Sequence, residues 1–433
     1  MDKLEYTALG QTVYHGVLPN GLNIYVDVRP EYDKQFVFFA TRYGGMDVRF
    51  RGEDGEWLDT PAGVAHFLEH KTFDTKEGNA LQAMAANGAD PNAFTTGSIT
   101  GYYFDGARGF EENLRTLLSF VSEPWFTPES VDKEQGIIAQ EIRMYEDDPA
   151  SEVFERLKRA MYVHHPARVS TVGTVESIAG ITADTLYQCH RAFYRPGNMV
   201  LCAAGNIDPR RVEDIAREVL PDAPAAAAAV DYGQPEPLEV GEKRTRRIMP
   251  VSIPMFALGF KGSPAAGKEG LRQRLVAELV CDVLFSPSAP LYNRLYEQGL
   301  LNGSFGSSYD AFPGCAWIMA EGESRDPERV RAEALKEAAR LGEEGIDQAL
   351  WERLKNAAYG SMVRHLNSME DTCIELAEGH FNGEDYLSFP QVFQSIDRAD
   401  GEALLREWCV EERTALSVIE PEEQSDIERD GHD

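Results

Sequence analysis

An interruption between residues 221 and 243 sets the plan that this chain can fold into. There PDAPAAAAAVDYGQPEPLEVGEK replaces amphipathic periodicity with prolines, an alanine run and acidic side chains. The 433 residues thus divide into two stretches of similar length, each able to bury a core of its own. We place a first domain at 1–222, a linker at 223–243 and a second domain at 244–433. Both halves run in one order: apolar strand-like segments (Leu22 to Val28 and Gln35 to Arg42; Pro254 to Phe260), a helix, a glycine-punctuated stretch, then long amphipathic helices. Alternation such as SITGYYFDG predicts half-exposed strands. An α+β domain used twice is the expected fold. The acidic tail PEEQSDIERDGHD is expected to fray.

Composition narrows the class. With 43 % hydrophobic and 26 % charged residues the chain reads as globular and soluble. No apolar run is expected to approach a membrane span, and MDKLEYTALGQTVYHG lacks the basic start and apolar core of a secretory signal, so a cytoplasmic location and no membrane partner are expected. A net charge of -30, from 42 basic and 72 acidic side chains, opposes phosphate binding and hence a nucleic-acid partner. The six cysteines lie far apart with no C-x-x-C pair, which predicts buried, reduced thiols.

The first half carries the chemistry. In DTPAGVAHFLEHKTF, Thr60 is the expected N-cap and Pro61 the first helical residue. A helix then contains His66, Glu69 and His70 within an arc of about 100°, while Val64, Phe67 and Leu68 occupy another arc. Histidines four apart on a helix reach one metal ion, and the intervening carboxylate is placed to take a proton from water there. This is the inverted H-x-x-E-H order. Two histidines on a bare helix surface would satisfy the same string.

A second helix strengthens the metal reading. TPESVDKEQGIIAQEIRMY begins with Thr127 and Pro128 as start signals. With Glu134 as origin, Val131, Ile137, Ile138, Ile142, Met144 and Tyr145 fall within about 80° of it and Glu141 within about 20°. Both glutamates are therefore expected in the middle of a buried stripe, where a carboxylate requires a cation. A lysine or arginine would serve; so would the metal that the two histidines lack a third ligand for. We assign His66, His70 and Glu141 to one zinc ion, Glu69 as general base and Glu134 to orienting a ligand or the water. The other histidines, including His164 and His165, are expected on loops or the surface.

These residues resemble a known family. HFLEH followed by E-x6-E, with GADPNAFTTGSITGYYFDG between and GTVESIAGIT and FYRPGNMVLCAAGNID after, is similar to the insulinase/pitrilysin zinc metallopeptidases, which include mitochondrial processing peptidase. GVAHFLEHKTF most resembles the bacterial YmfH-like branch, with two homologous domains per chain. The resemblance implies ligands at His66, His70 and Glu141, the base at Glu69, support from Glu134, and a substrate-binding edge strand with Asn92, Ala93 and Phe94. It also implies one Zn2+ per chain and pairing with a second subunit, identical or homologous, to close a chamber around small or unfolded peptides. Backbone pairing of a peptide with an exposed strand is a general recognition mode. In the second half, SPSAPLYNRLYEQGLLNGSFGSSYD is similar to the family's second domain, but Tyr296 and Asn302 stand where an arginine and a tyrosine hold substrate; Arg294 and Tyr309 lie nearby, and neither is assigned that role.

Three functions are weighed: a zinc endopeptidase, a non-proteolytic partner or assembly subunit of a peptidase-like complex, and, as the YmfH-like resemblance implies, a zinc hydrolase in maturation of a modified elongation factor. The first is the leading expectation.

Overall fold

Runs rich in β-branched and aromatic residues pair in the first half as a seven-stranded sheet. Its spatial order is Asp2–Tyr6, Gln11–Val17, Asn23–Val28, Met199–Gly205, Gln35–Thr41, Thr100–Gly106 and Ala89–Thr95. The second half forms a five-stranded sheet: Arg244–Ile248, Thr414–Glu420, Met255–Gly262, Cys315–Glu323 and Gly306–Phe312. The last five strands of the first sheet repeat this order and sense, one parallel pair and then three antiparallel ones. The duplication hinted at by element order is thus a duplicated topology, and the fold is α+β with two similar domains. This computed structural model describes residues 1–52, 54–222 and 228–422. Part of the expected linker, 223–227, and most of the acidic tail, 423–433, lie outside the described residues.

Packing crosses the sequence boundary in both directions. Helix Pro149–Met161, from the first half, lies against strands Thr414–Glu420 and Met255–Gly262 of the second sheet. Helix Met369–Asn382, from the second half, lies against Met199–Gly205 and Gln35–Thr41 of the first. Gly259 records how close the approach is: a Cβ there would sit 2.5 Å from Met161 Sδ. Phe36 and Phe38 consequently share one core with Leu376 and Ala377. This cover also changes the expectation for SITGYYFDG: Thr100, Gly101, Tyr102 and Phe104 are buried, so that strand is interior rather than half-exposed.

The described part of the linker is strapped down rather than free. Arg51 N donates to Ala229 O and Asp231 N to Arg49 O, each at 2.9 Å. Further on, Glu236 accepts the backbone N–H groups of Val163, His164 and His165 at 2.8, 2.7 and 2.8 Å and the Lys261 ammonium at 2.6 Å. Lys261 Nζ also donates to Met161 O at 2.8 Å and Glu239 O at 3.0 Å. One buried ion pair therefore ties first half, linker and second sheet together.

Two expectations are corrected here. The helical stretch 267–297 is long and apolar enough to cross a membrane by length and composition. Most of it is buried, because helix Gly267–Phe285 is packed between strands Gly306–Phe312 and Cys315–Glu323 on one side and five other helices, and is apolar on several sides. Among the histidines expected on loops or the surface, His190 is instead buried in helix Ala183–Phe193, its Nε2 bonding Val121 O at 2.8 Å; His165 does lie in a loop but is buried there, its Nδ1 accepting from Ala167 N at 3.1 Å and its Nε2 bonding Pro313 O at 3.0 Å. The six cysteines are buried and unpaired, as expected.

Candidate metal centre

The histidine helix spans Val64–Thr72, and its start differs from expectation. Gly63, at φ 91°, is the N-cap, and a Cβ there would lie 2.6 Å from Val172 O. That close crossing with segment 172–173 demands glycine and fixes where the helix begins. Thr60 instead donates its hydroxyl to Val48 O at 3.0 Å, outside the helix. The glutamate helix, Pro128–Asp147, starts where the sequence placed it, with Thr127 and Ser130 forming a reciprocal capping box.

The two helices pack side by side and bring their polar faces together. His66 Nε2 lies 3.5 Å from Glu141 Oε1, and His70 Nε2 lies 3.6 Å from Glu141 Oε2. One donor atom from each of His66, His70 and Glu141 falls within 4.8 Å of the others, the one such group of three or more potential ligands among the described residues. Tetrahedral zinc with bonds near 2.0–2.1 Å needs ligand atoms roughly 3.3 Å apart. Each imidazole already has a Glu141 oxygen near that spacing, and no pair of the three donor atoms is more than 4.8 Å apart.

Glu134 stands behind these candidate ligands, its Oε1 3.1 Å from His70 Nδ1, which would leave His70 Nε2 for a metal ion. Lys71 Nζ lies 3.8 Å from Glu134 and is shared with Asp74. Among the described residues no arginine pairs with Glu134 or Glu141. Burial pulls the His70 pKa down, but the Glu134 hydrogen bond and the charges of Glu69, Glu141 and Glu134 outweigh this and hold it above the ordinary histidine value. The imidazoles in turn hold both carboxyls below their ordinary value, Glu134 chiefly through its bond to His70 and Glu141 chiefly through His66. Two imidazoles facing Glu69, Glu134 and Glu141 with one shared lysine nearby make a strongly anionic cluster, the environment that suits a divalent cation.

Glu69 is buried, and its Oε2 accepts the Thr95 hydroxyl at 2.6 Å. Thr95 ends strand Ala89–Thr95, which is the free edge of the first sheet.

Known proteins match this chain along nearly its whole length. Residues 55–175 match the family described as Insulinase (Peptidase family M16), and residues 180–358 match the Peptidase M16 inactive domain. The uncharacterized zinc protease YmfH of Bacillus subtilis is 32 % identical over 424 residues, 96 % of this chain and 99 % of that one. The chain belongs to the M16 family. Within M16, a putative M16-like peptidase from Alicyclobacillus acidocaldarius superimposes with a TM-score of 0.90 at 31 % identity, covering 95 % of this chain and 98 % of that one. A protease from Helicobacter pylori shares the fold with a TM-score of 0.81 at 18 % identity, over 94 % and 99 % of the two chains. The M16 and YmfH-like likenesses agree with the family resemblance of the sequence.

The rest of this M16 site differs in detail from expectation. The glutamates do not lie in the middle of the apolar stripe. Val131, Ile138 and Ile142 are buried, whereas Ile137, Met144 and Tyr145 are 47 %, 59 % and 39 % exposed. Glu134 and Glu141 run along the border between a buried apolar face and an exposed one, which is why both reach the histidines. On the edge strand, Asn92 and Phe94 alternate with Ala93 and Thr95. Phe94 stacks on Phe38 at 5.6 Å and joins the core shared by the two halves, while Ala93 packs with the histidine-helix core. Asn92 Oδ1 accepts from Ala93 N at 2.9 Å. Of the three residues, Ala93 shares the face of Thr95, the residue that sequence reasoning missed; period-two counting from Ala93 would have found it.

In the second domain Arg294 is tied to Glu337 at 3.1 Å and Asn302 Nδ2 donates to Glu323 at 2.7 Å. Tyr309 hydrogen-bonds Gln273 at 3.2 Å, and Tyr296 is exposed.

Proposed function

We propose that this M16 protein is a zinc-dependent peptidase that hydrolyses small or unfolded peptides. The carrying observation is the convergence of His66, His70 and Glu141 on one point, with the Glu69 carboxylate held beside it by Thr95. All of these residues lie within the stretch matched as peptidase, 55–175, and none within the stretch matched as inactive domain.

His66, His70 and Glu141 would hold the ion, which supplies Lewis acidity to water and to the scissile carbonyl when bound. The chain's own residues do the rest. Glu69 accepts a proton from the attacking water and returns one to the leaving amine, and the Thr95 hydroxyl fixes which oxygen of Glu69 is free to do so. Glu134 holds His70 with Nε2 forward. The free edge of Ala89–Thr95 offers main-chain N–H and C=O groups to an extended peptide, so recognition depends on backbone rather than on particular side chains. Ile137 and Met144, exposed beside the glutamates, give peptide side chains apolar surface.

The test compares zinc-loaded wild type with Glu69→Gln on a mixed library of short unfolded peptides, products read by mass. Wild type is expected to cleave and Glu69→Gln to lose cleavage while keeping its zinc and its thermal midpoint. Intact peptides with wild type, or cleavage that survives in Glu69→Gln, would contradict the proposal.

A further inference from the structure

A second functional feature opens beside the glutamate helix. Ile142 and Tyr145, the turn after Glu141, form one wall of a 670 Å³ pocket whose other walls are segment 168–174, helix Pro149–Met161 and Arg247. Four residues along a helix is about 6 Å, so Tyr145 lies one turn from the metal ligand. It also points to nearly the same side, about 40° round the helix axis from Glu141. The opposite wall is anchored to the site as well, because Val172 and Gly173 press on Gly63 at the start of the histidine helix.

The pocket's charge runs against that of the chain. In a protein of net charge -30 it is lined by Arg156, Arg159, Arg168 and Arg247. One buried carboxylate, Glu152, is shared by three of them, at 3.5 Å from Arg156, 3.6 Å from Arg159 and 3.0 Å from Arg247. Glu155 is taken by Lys158 at 2.8 Å, and Glu146 is the one other acid in the lining. Arg168 is exposed and has no ion-pair partner among the described residues. Guanidinium groups crowded around a single shared carboxylate keep unused N–H donors, and their planar fork matches a second carboxylate.

We propose that this pocket is a subsite for a carboxylate of the bound peptide, supplied either by an acidic side chain or by the free C-terminus. The inference rests on the peptidase reading and gives it a specificity: acidic groups are attracted to one end of the cleft although the protein as a whole repels them. Solvent ions screen the negative surface beyond about 8–10 Å, so the guanidinium groups lining the pocket dominate the field within it.

The test uses zinc-loaded Glu69→Gln, so that binding is read without turnover, and four fluorescein-labelled versions of one short neutral peptide. Two differ only in a free or amidated C-terminus; two amidated ones carry Glu or Gln at one internal position. Fluorescence anisotropy is expected to show roughly tenfold tighter binding of the free acid over the amide, or of Glu over Gln, and the arm that responds identifies the source of the carboxylate. Adding Arg168→Gln should bring that ratio close to one, with Arg159→Gln a second variant at another exposed guanidinium. Equal affinities within both pairs, absence of binding, or a preference that Arg168→Gln and Arg159→Gln leave intact would overturn the subsite. Wild type that binds with the preference yet cleaves none of the peptides would sink the peptidase reading and leave the subsite standing.

Discussion

Thr95 donates its hydroxyl hydrogen to Glu69 Oε2 at 2.6 Å, which couples the last residue of the free edge strand to the proposed general base. The same hydroxyl lies 3.3 Å from that of Thr100, which donates to Tyr43 O at 2.9 Å. A peptide added to the strand would thus register beside a carboxylate whose orientation the strand itself controls.

Thr95→Val keeps the shape of the side chain and removes that hydrogen bond. A positioning role predicts a fall in kcat of about tenfold or more with KM little changed, and recovery in Thr95→Ser. Equal loss in the valine and serine variants would count against it.

Glu134→Gln leaves all three ligands in place but takes the charge away from His70 Nδ1. Zinc affinity measured by chelator competition should drop about 10- to 100-fold. Because the carboxylates hold His70 above its ordinary pKa, protons compete with zinc as pH falls. In Glu134→Gln that competition should begin at lower pH, since the proton on His70 loses its hydrogen-bonded partner.

Glu236 gives a separate, structural prediction. Burial pushes its carboxyl up, but Lys261 and the three backbone N–H groups outweigh that and bring it from the ordinary 4.5 to about 2. A depressed carboxylate contributes stability that is fully present above about pH 4.5 and is lost as pH falls towards 2. Lys261→Met leaves a buried carboxylate without its cation and should cost about 3–5 kcal/mol in denaturant unfolding near neutral pH, with a weaker acid dependence. A variant as stable as wild type would show that the clasp does not hold the halves together.

Much of this was legible in the sequence because local rules governed it. Thr127, Pro128 and Ser130 cap the glutamate helix by contacts within four residues, and the spacings of His66, Glu69 and His70 and of Glu134 and Glu141 follow from helical geometry alone. What was not legible depends on partners far along the chain. Thr60 and Pro61 look like a helix start, yet the crossing of Gly63 with Val172 moves the start to Val64. Ile137 and Met144 look like core, because periodicity counts apolar residues and cannot see that among the described residues no element covers them. The exchange of helices Pro149–Met161 and Met369–Asn382 between sheets leaves no local mark, and it is what buries both faces of the central strands.

The central claim is that one zinc ion is held by His66, His70 and Glu141. Zinc content by mass spectrometry after exhaustive dialysis, on wild type and Glu141→Gln purified side by side with matched circular dichroism, tests it most directly. The account predicts about one zinc per chain in wild type and close to none in the variant; equal zinc in the two would contradict it.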